Sequence, residues 1–325
     1  MTGPWTWHGG GLDAAKRHFG GTDWIDLSTG INPDPWPVTD DIAIDWQRLP
    51  DTDALRHLEE IAALFFGVAP EYICAVPGTE IGLRLTGSLV GGGEARYIAP
   101  SYRTHGEMIA DAAAIDPVAT EHHDGTLILA NPNNPDGRLI EPELLHDLLD
   151  LRSSESWLLV DEAFADPDPT ISLAGLVSDA RNLVIFRSFG KFFGLAGVRL
   201  GFVLGPPSIL DPLRHLLGAW PLSAAAVAIG TAAYQDAAWI AGARRRLPEQ
   251  AAALDAILTG AGHRSIGECP LFRLIEVDDA GSLFERLAKA AILTRPFADQ
   301  PQWLRIGLPS DEDAAARLAT ALAHG

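Results

Sequence analysis

Several residues that could take part in chemistry stand directly after short apolar runs of the sequence. Lys191 and Asp161 carry an amine and a carboxylate, the groups that covalent and acid–base catalysis use most readily. In chain order the groups are Gly78-Thr79 after Ile73–Val76, NPNNPDG (Asn131–Gly137) after Thr126–Ala130, DEAF (Asp161–Phe164) after Trp157–Val160, SFGK (Ser188–Lys191) after Leu183–Phe186, and Arg199. Because ligands collect at the carboxyl ends of parallel strands, these groups are candidates for one common site.

A site for pyridoxal phosphate (PLP) needs side chains of these kinds. The cofactor aldehyde forms an imine with a lysine, and a carboxylate keeps the pyridine nitrogen protonated, so that the ring withdraws electrons from Cα. Lys191 and Asp161 suit these two roles, and the Asn134 amide suits a hydrogen bond to the ring oxygen O3′. The groups that suit the phosphate are the backbone N–H groups of Gly78 and Thr79 at a helix start, the Ser188 hydroxyl and the Arg199 guanidinium.

Taken singly, each of these groups has an ordinary structural explanation. NPNNPDG is typical of a turn, Asp161 of a helix cap, and Lys191 of a solvated loop. Two other enzyme classes are disfavoured because their companion motifs are missing from the sequence. No Walker A loop accompanies the Walker-B-like run Leu158–Glu162, and no S-D-N or K-T-G motif accompanies Ser188-x-x-Lys191. Only the joint order of the groups, each past a strand end, favours the cofactor site.

The elements that must position these groups alternate along the chain. Apolar runs of strand length occur at Ile73–Val76, Tyr97–Ala99, Thr126–Ala130, Trp157–Val160, Leu183–Phe186 and Arg199–Leu204, with helix-like stretches between them at Ile81–Val90, His105–Ala114 and Pro142–Leu151. This alternation predicts an α/β fold with a mostly parallel sheet between helices. We expect a large domain over residues 40–206 and a small α+β domain over 1–39 and 207–325.

Composition limits the classes of partner. The 325 residues include 43 acidic and 24 basic ones, a net charge of −19, which argues against a nucleic-acid surface. The opening residues lack the basic and apolar regions of a signal peptide, and the longest apolar stretch, Leu222–Ala233, is too short for a membrane span. Cys74 and Cys269 are the only cysteines, so we expect no thiolate metal cluster and a cytoplasmic location.

The motifs together resemble those of the fold-type I PLP enzymes, the aspartate aminotransferase superfamily. The resemblance rests on NPNNPDG, DEAF, RSFGKFFGLAGVRLG (Arg187–Gly201) and LRIGLPS (Leu304–Ser310), and it runs over nearly the whole chain. Within the superfamily the chain looks like the group that holds histidinol-phosphate aminotransferase and the L-threonine-O-3-phosphate decarboxylase of cobalamin biosynthesis. The resemblance implies a seven-stranded sheet, a small α+β lobe, and a homodimer with its sites at the subunit interface.

The same resemblance implies roles for individual residues. Lys191 would be the Schiff-base lysine, Asp161 the partner of the pyridine nitrogen, and Asn134 the donor to O3′. Arg305 would bind the substrate α-carboxylate, a pairing that suits guanidinium geometry. The aromatic residue that stacks on the cofactor ring falls on His105, with Tyr102 as a competing candidate.

Three positions depart from the motifs of the aminotransferases. Phe164 stands where they carry a tyrosine, whereas the decarboxylase resembles this chain in having phenylalanine. Leu49 replaces a tyrosine that in relatives reaches the neighbouring subunit's cofactor phosphate. Asp136 replaces a commoner threonine within the turn.

The amino terminus resembles that of the decarboxylase. His8-Gly9-Gly10 and Asp26–Pro33 (DLSTGINP) are similar to its opening segments. The resemblance therefore adds His8, Gly30 and Asn32 to Arg305 as candidates for binding the substrate. Trp220–Ser223 and Gln235–Trp239 also look more like the decarboxylase. We therefore expect decarboxylation of L-threonine O-3-phosphate to (R)-1-amino-2-propanol O-2-phosphate. A histidinol-phosphate-like aminotransferase is the alternative, and a non-catalytic PLP-binding protein is the alternative from another class.

Overall fold

Strands and helices alternate through most of the chain. The computed structural model describes residues 4–6, 8–40, 42–91, 93–117 and 125–323. The strands are β1 (Ile25–Asp26), β2 (Ile73–Val76), β3 (Ala95–Ile98), β4 (Ala113–Ile115), β5 (Thr126–Ala130), β6 (Leu158–Asp161), β7 (Leu183–Ser188), β8 (Gly201–Leu204), β9 (Ser265–Ile266), β10 (Phe272–Glu276), β11 (Ile292–Leu293), β12 (Arg295–Pro296) and β13 (Trp303–Gly307). The α-helices are α1 (Leu12–Phe19), α2 (Thr52–Phe66), α3 (Thr79–Val90), α4 (Arg103–Glu107), α5 (Pro142–Asp150), α6 (Phe189–Phe192), α7 (Pro207–Leu217), α8 (Ala224–Gln235), α9 (Ala237–Gly260), α10 (Ala280–Lys289) and α11 (Glu312–Ala323).

The chain divides into two units. The larger contains residues 35–134 and 139–244, and the smaller contains residues up to 34, residues 135–138 and residues from 245 onward. The sequence-based boundaries at 39/40 and 206/207 divide the chain differently, because α7 and α8 belong to the larger unit. Leu210 and Leu213 of α7 are fully buried in the same apolar cluster as Val184 and Val203 of the sheet.

A mixed sheet of seven strands forms the centre of the larger unit. Its order is β2-β8-β7-β6-β5-β3-β4. The strand β8 runs antiparallel to both of its neighbours, β2 and β7, and the other pairs of this sheet are parallel. Every residue of β5 and β6 is buried, as expected for strands covered on both faces. The prediction of a mostly parallel α/β sheet is confirmed.

The antiparallel course of β8 shapes the segment that carries Lys191. Ser188 at the end of β7 pairs with Gly201 at the start of β8, so residues 189–200 leave the sheet and return to it at the same point. A Cβ on Gly201 would lie 2.7 Å from the Thr79 nitrogen and 3.0 Å from the Arg187 carbonyl oxygen. The glycine therefore lets the start of α3 approach the ends of β7 and β8 closely.

One predicted helix is wrong. The sequence predicts a helix over His105–Ala114, but the helix α4 ends at Glu107, and Ala113–Ile115 forms the edge strand β4, parallel to β3. The apolar run is too short for its spacing to distinguish a helix from a strand. The pairing with β3 decides the outcome.

The apolar run Leu222–Ala233 lies mostly in α8, where packing accounts for its composition. Ala226, Ile229 and Tyr234 are buried, and a Cβ on Gly230 would lie 2.5 Å from Leu200 Cδ2. Nowhere in the described ranges does a helix have both the length and the apolar character needed to cross a membrane.

The smaller unit is built on a four-stranded antiparallel sheet of order β12-β13-β10-β9. The amino-terminal segment adds β1, which pairs in parallel with β11 through Ile25 and Ile292. Leu283, Phe284 and Leu287 form the buried face of α10. This unit has the α+β composition that the sequence predicts.

Candidate active site

Asp161 is the last residue of β6, and its carboxylate has a buried histidine partner. His105 of α4 is fully buried, and its Nε2 lies 3.1 Å from Asp161 Oδ2. The other carboxylate oxygen, Oδ1, accepts a hydrogen bond from the Ala163 backbone N–H at 3.0 Å. Among the described residues, none is a hydrogen-bond partner for Nδ1 of His105. Both Asp161 oxygens are thus held in place from the protein side.

Lys191 lies on the short helix α6, directly after the end of β7. Its Nζ is 5.5 Å from the centroid of the Phe164 ring, and Phe164 follows Asp161 by three residues. Phe189 and Phe192 are buried on either side of Lys191, and a Cβ on Gly190 would lie 2.5 Å from Ala196 Cα. The tight packing of residues 189–196 fixes the backbone from which the amine projects.

The start of α3 and Arg199 form a cradle for an anion. Gly78 precedes the helix at φ +86°, and a Cβ there would lie 2.8 Å from Arg199 Nη2. Arg199 itself is exposed and donates from Nη1 to the Ala196 carbonyl oxygen at 3.2 Å. The Thr79 hydroxyl donates to the Arg187 carbonyl oxygen at 3.2 Å, which ties the helix start to the end of β7 next to Ser188. A helix amino terminus with a guanidinium beside it is suited to phosphate.

Glu80 joins this helix start to the segment that carries Tyr102 and His105. Its carboxylate accepts hydrogen bonds from the Tyr102 hydroxyl at 3.0 Å and from the Thr104 hydroxyl at 2.9 Å. Burial raises the pKa of Glu80, but the bonds from Thr104, Arg84 and Tyr102 outweigh it and leave the pKa below its usual value. Burial and the Glu80 charge raise the pKa of Tyr102 to about 12, so this ring stays a neutral phenol.

Asn134 lies half-buried in the loop that follows β5. Two other asparagines of the motif hold that loop: Asn131 Oδ1 accepts from the Ile140 N–H at 2.9 Å, and Asn133 Nδ2 donates to the Pro100 carbonyl oxygen at 2.9 Å. The buried Asp136 accepts from Arg138 Nε at 2.6 Å, so the unusual aspartate of the motif stabilises the turn.

The four predicted substrate residues lie in the smaller unit, where Ser28 connects two of their segments. Gly10 N donates to Ser28 Oγ at 2.7 Å, and Arg305 Nη2 donates to the Ser28 carbonyl oxygen at 3.0 Å. His8, two residues before Gly10, is exposed. The other two, Gly30 and Asn32, are buried, and Asn32 Oδ1 accepts from the Asp34 N–H at 3.0 Å.

Arg295 is a candidate that sequence reasoning missed. It lies on β12 directly opposite the buried Arg305 of β13. Burial, together with the Arg295 charge, lowers the pKa of Arg305 to about 9. Like charges directly opposite each other on paired strands are unfavourable in general, and two guanidinium groups placed in this way suit anionic ligands. The sequence of one strand does not show which residue of another strand lies opposite. The only local signal for this candidate is the presence of an arginine in TRPF (Thr294–Phe297).

A buried ionic cluster directly behind Asp161 was also missed. Glu162, Asp166 and Arg187 are each at most 2% exposed. Arg187 Nη1 lies 2.5 Å from Glu162 Oε2, and Nη2 contacts Asp166 Oδ1. Burial raises the pKa of both carboxyl groups, and the Arg187 charge opposes that shift.

The side chains of the larger unit fit a cofactor that carries a phosphate, a basic ring nitrogen and a carbonyl group. The cradle beside Gly78 is a space that any Cβ would fill, the Asp161 carboxylate is fixed by His105, and Lys191 supplies an amine. Within the described part of the chain, no three His, Cys, Asp or Glu residues are grouped so that they could hold a metal ion.

Comparison with known proteins decides the family. A sequence profile for aminotransferase class I and II matches residues 92–322. The chain belongs to the aminotransferase class I and II family. Asn134, Asp161, Lys191 and Arg305 lie within the span that matches this family, whereas His8, Gly30, Asn32, Gly78 and Thr79 precede it.

Individual members of the aminotransferase class I and II family match over nearly the full length. The threonine-phosphate decarboxylase of Sinorhizobium sp is 44% identical over 98% of this chain and 97% of its own length. The threonine-phosphate decarboxylase of Pseudomonas aeruginosa is 37% identical over 97% of this chain and 96% of its own length. The structure of the histidinol-phosphate aminotransferase from Sinorhizobium meliloti in complex with pyridoxal-5′-phosphate matches with a TM-score of 0.80 and 21% identity, covering 96% of this chain and 93% of that one. This last likeness shows the fold.

Proposed function

We propose that the chain is a PLP-dependent decarboxylase that converts L-threonine O-3-phosphate to (R)-1-amino-2-propanol O-2-phosphate for cobalamin biosynthesis. The observation that carries the proposal is the 44% identity to a threonine-phosphate decarboxylase over 98% of the chain. That match extends over amino-terminal residues that lie outside the span matched by the family profile, residues 92–322.

In the larger unit, the residues of the site hold the cofactor. When bound, PLP supplies an electron sink conjugated to the substrate Cα. Lys191 binds the cofactor through its amine, and Asp161 keeps a proton on the ring nitrogen because an opposite charge nearby favours the protonated form. The Gly78 N–H was also predicted to bind the phosphate, but it donates to the Val76 carbonyl oxygen at 2.7 Å. The Thr79 N–H, Ser188 and Arg199 bind the phosphate, and Asn134 donates to O3′.

His105 was predicted to stack on the cofactor ring, but its Nε2 is hydrogen-bonded to Asp161 Oδ2 at 3.1 Å. This contact favours a different role, in which His105 orients the Asp161 carboxylate. We assign the stacking role to Tyr102, whose hydroxyl is held by Glu80.

The two opposed arginines of the smaller unit suit a substrate with two anionic groups. Threonine phosphate carries a carboxylate and a phosphate, and each guanidinium can bind one of them by paired hydrogen bonds. We assign the carboxylate to Arg305 and the phosphate to Arg295 with His8.

Reaction specificity depends on how the substrate is turned. PLP would supply a π system that stabilises the electron pair left at Cα, and the residues that hold the substrate would select the bond that breaks by orienting it. Anchoring the phosphate as well as the carboxylate fixes the rotation about Cα, so the arginine pair can select the bond to the carboxylate. Lys191 would supply the proton that replaces the departing carboxylate at Cα.

The proposal is tested by comparing two substrates with the purified, PLP-loaded protein. We expect release of CO2 from L-threonine O-3-phosphate without any keto acid, and no comparable reaction of L-histidinol phosphate with 2-oxoglutarate. The reverse result would establish the aminotransferase alternative. A bound cofactor whose absorption changes with neither compound would indicate a non-catalytic protein.

We also propose that the protein is a homodimer and acts in the cytoplasm. Support for the dimer comes from exposed apolar side chains, Trp46 at 76% and Leu49 at 65%, beside a groove of about 440 Å³ between residues 43–57 and α8. Support for the location comes from Cys74 and Cys269, which are free and buried, as suits a reducing compartment.

A further inference from the structure

The buried ionic cluster of Glu162, Asp166 and Arg187 adjoins residues of the proposed cofactor site at several points. Glu162 directly follows Asp161, and Arg187 directly precedes Ser188. The Glu162 N–H donates to the Phe186 carbonyl oxygen at 2.9 Å, so β6 and β7 are still paired where the cluster begins. Because neighbouring side chains of a strand alternate between faces, the cluster lies behind the site rather than in it.

The Arg187 guanidinium binds both ends of a short segment, residues 162–166, in the loop that follows β6. One guanidinium nitrogen binds Glu162 and another binds Asp166, and Phe164 lies midway between these two acids. Phe164 is the residue whose ring lies 5.5 Å from Lys191 Nζ. The guanidinium fork therefore fixes the loop that places Phe164 against the reactive amine.

The remaining bonds of the cluster extend this support. Glu162 accepts from the Leu173 N–H at 2.7 Å and from the Ser172 hydroxyl at 2.5 Å, which holds the far end of the same loop. The Arg187 guanidinium carbon lies 4.7 Å from the centroid of the Phe66 ring on α2. The Arg187 carbonyl oxygen accepts a hydrogen bond from the Thr79 hydroxyl. Arg187 therefore also contacts the helix start that forms the phosphate cradle.

Burying charged groups in this way contributes little net free energy to the stability of a fold. Desolvation of buried ions offsets much of their attraction, and apolar side chains of similar volume often stabilise as well. The ionic cluster instead fixes orientation, because the planar guanidinium of Arg187 holds two carboxylates at defined angles.

We propose that Arg187, with Glu162 and Asp166, is a positioning group that fixes the Asp161 carboxylate and the Lys191 amine for one bound cofactor. The inference rests on the proposed use of PLP. It assigns no contact between the cluster and the cofactor or substrate.

The test compares Arg187→Lys with Arg273→Lys. The first keeps the buried charge but loses the fork. The second is a matched control in the smaller unit, where buried Arg273 binds Asp255 through Nε at 2.7 Å and Nη2 at 2.9 Å. We expect both variants to lower the melting temperature, but only Arg187→Lys to weaken PLP binding and kcat by about tenfold to a hundredfold, the range seen when orienting groups are lost. KM should change little, and the absorption maximum of bound PLP should shift.

A triple variant, Glu162→Gln with Asp166→Asn and Arg187→Met, covers the case in which Arg187→Lys does not fold. It leaves no buried charge in the cluster, so we expect it to fold and still to bind PLP more weakly than the wild type. Equal PLP affinity, absorption maximum and kcat in the folded cluster variant and Arg273→Lys would overturn the inference. A wild-type protein that binds no PLP would instead overturn the proposed function.

Discussion

Lys191 is the side chain on which the proposed chemistry depends most. Replacing it with alanine removes the amine but leaves the cradle of Gly78, Thr79 and Arg199 intact. We expect Lys191→Ala to fold with an unchanged melting temperature, to retain PLP without a covalent bond, and to lose decarboxylation by at least ~10²–10⁴-fold, the contribution of a positioned proton-transfer group. Borohydride treatment followed by mass spectrometry measures the covalent link. A labelled Lys191→Ala protein, or one that still turns over, would refute the assignment.

Arg305 should make kcat/KM of the proposed reaction depend on pH. Burial and the nearby Arg295 charge lower its pKa to about 9, so the guanidinium loses its proton as the pH rises through that value. Because an anion binds the charged form, kcat/KM for threonine phosphate should fall above about pH 9. Replacing Arg295 with glutamine removes the neighbouring charge and should move the midpoint of this decline to higher pH. An unchanged midpoint in Arg295→Gln would contradict the coupling of the two arginines.

At the scale of elements, the start of α3 can be tested with two glycines. Gly78 and Gly218 both have positive φ, +86° and +76°, with extended ψ values that only glycine adopts easily. A Cβ on Gly78 would also meet Arg199, whereas a Cβ on Gly218 has nothing within 4 Å. Each alanine variant should lower stability by about 1–3 kcal/mol from backbone strain. Only Gly78→Ala should also weaken PLP binding in a fluorescence titration, and equal binding by both variants would argue against the cradle.

The elements also show what local sequence determines. The strands β2 and β5 have the predicted bounds, since β-rich apolar runs bounded by turn residues carry their own signal. The helix α2 was not predicted, although its ends have recognisable signals: Asp51 accepts from the Asp53 N–H, and Gly67 ends the helix at φ +73°. The antiparallel course of β8 depends on pairing between distant strands, which no local pattern records.

The same distinction applies to the site. The residues that follow strand ends, such as Asp161 and Lys191, could be predicted because their position in a parallel sheet is general. The partner of Asp161 could not, because His105 is 56 residues away in the sequence and only the fold brings the two together. The cluster around Arg187 was missed for the same reason.

At the scale of the whole molecule, the proposed dimer predicts a measurable mass. Sedimentation equilibrium should give twice the 34.7 kDa chain mass. Leu49→Asp places a charge on the exposed apolar segment beside α8 and should shift the protein to monomers. Leu151→Asp is the control, since Leu151 is also exposed, at 45%, but follows α5 and is not among the residues that line the groove. A monomeric wild type, or equal dissociation by both variants, would contradict the proposed interface.

The most direct test of the account follows the fate of the substrate carboxylate. L-Threonine O-3-phosphate labelled with ¹³C at that carboxyl group is incubated with the PLP-loaded protein in the absence of any keto acid. We predict many turnovers, with one equivalent of labelled CO2 released for each equivalent of aminopropanol phosphate formed. A reaction that stops after one equivalent per cofactor, with the label retained in a keto acid, would contradict the account.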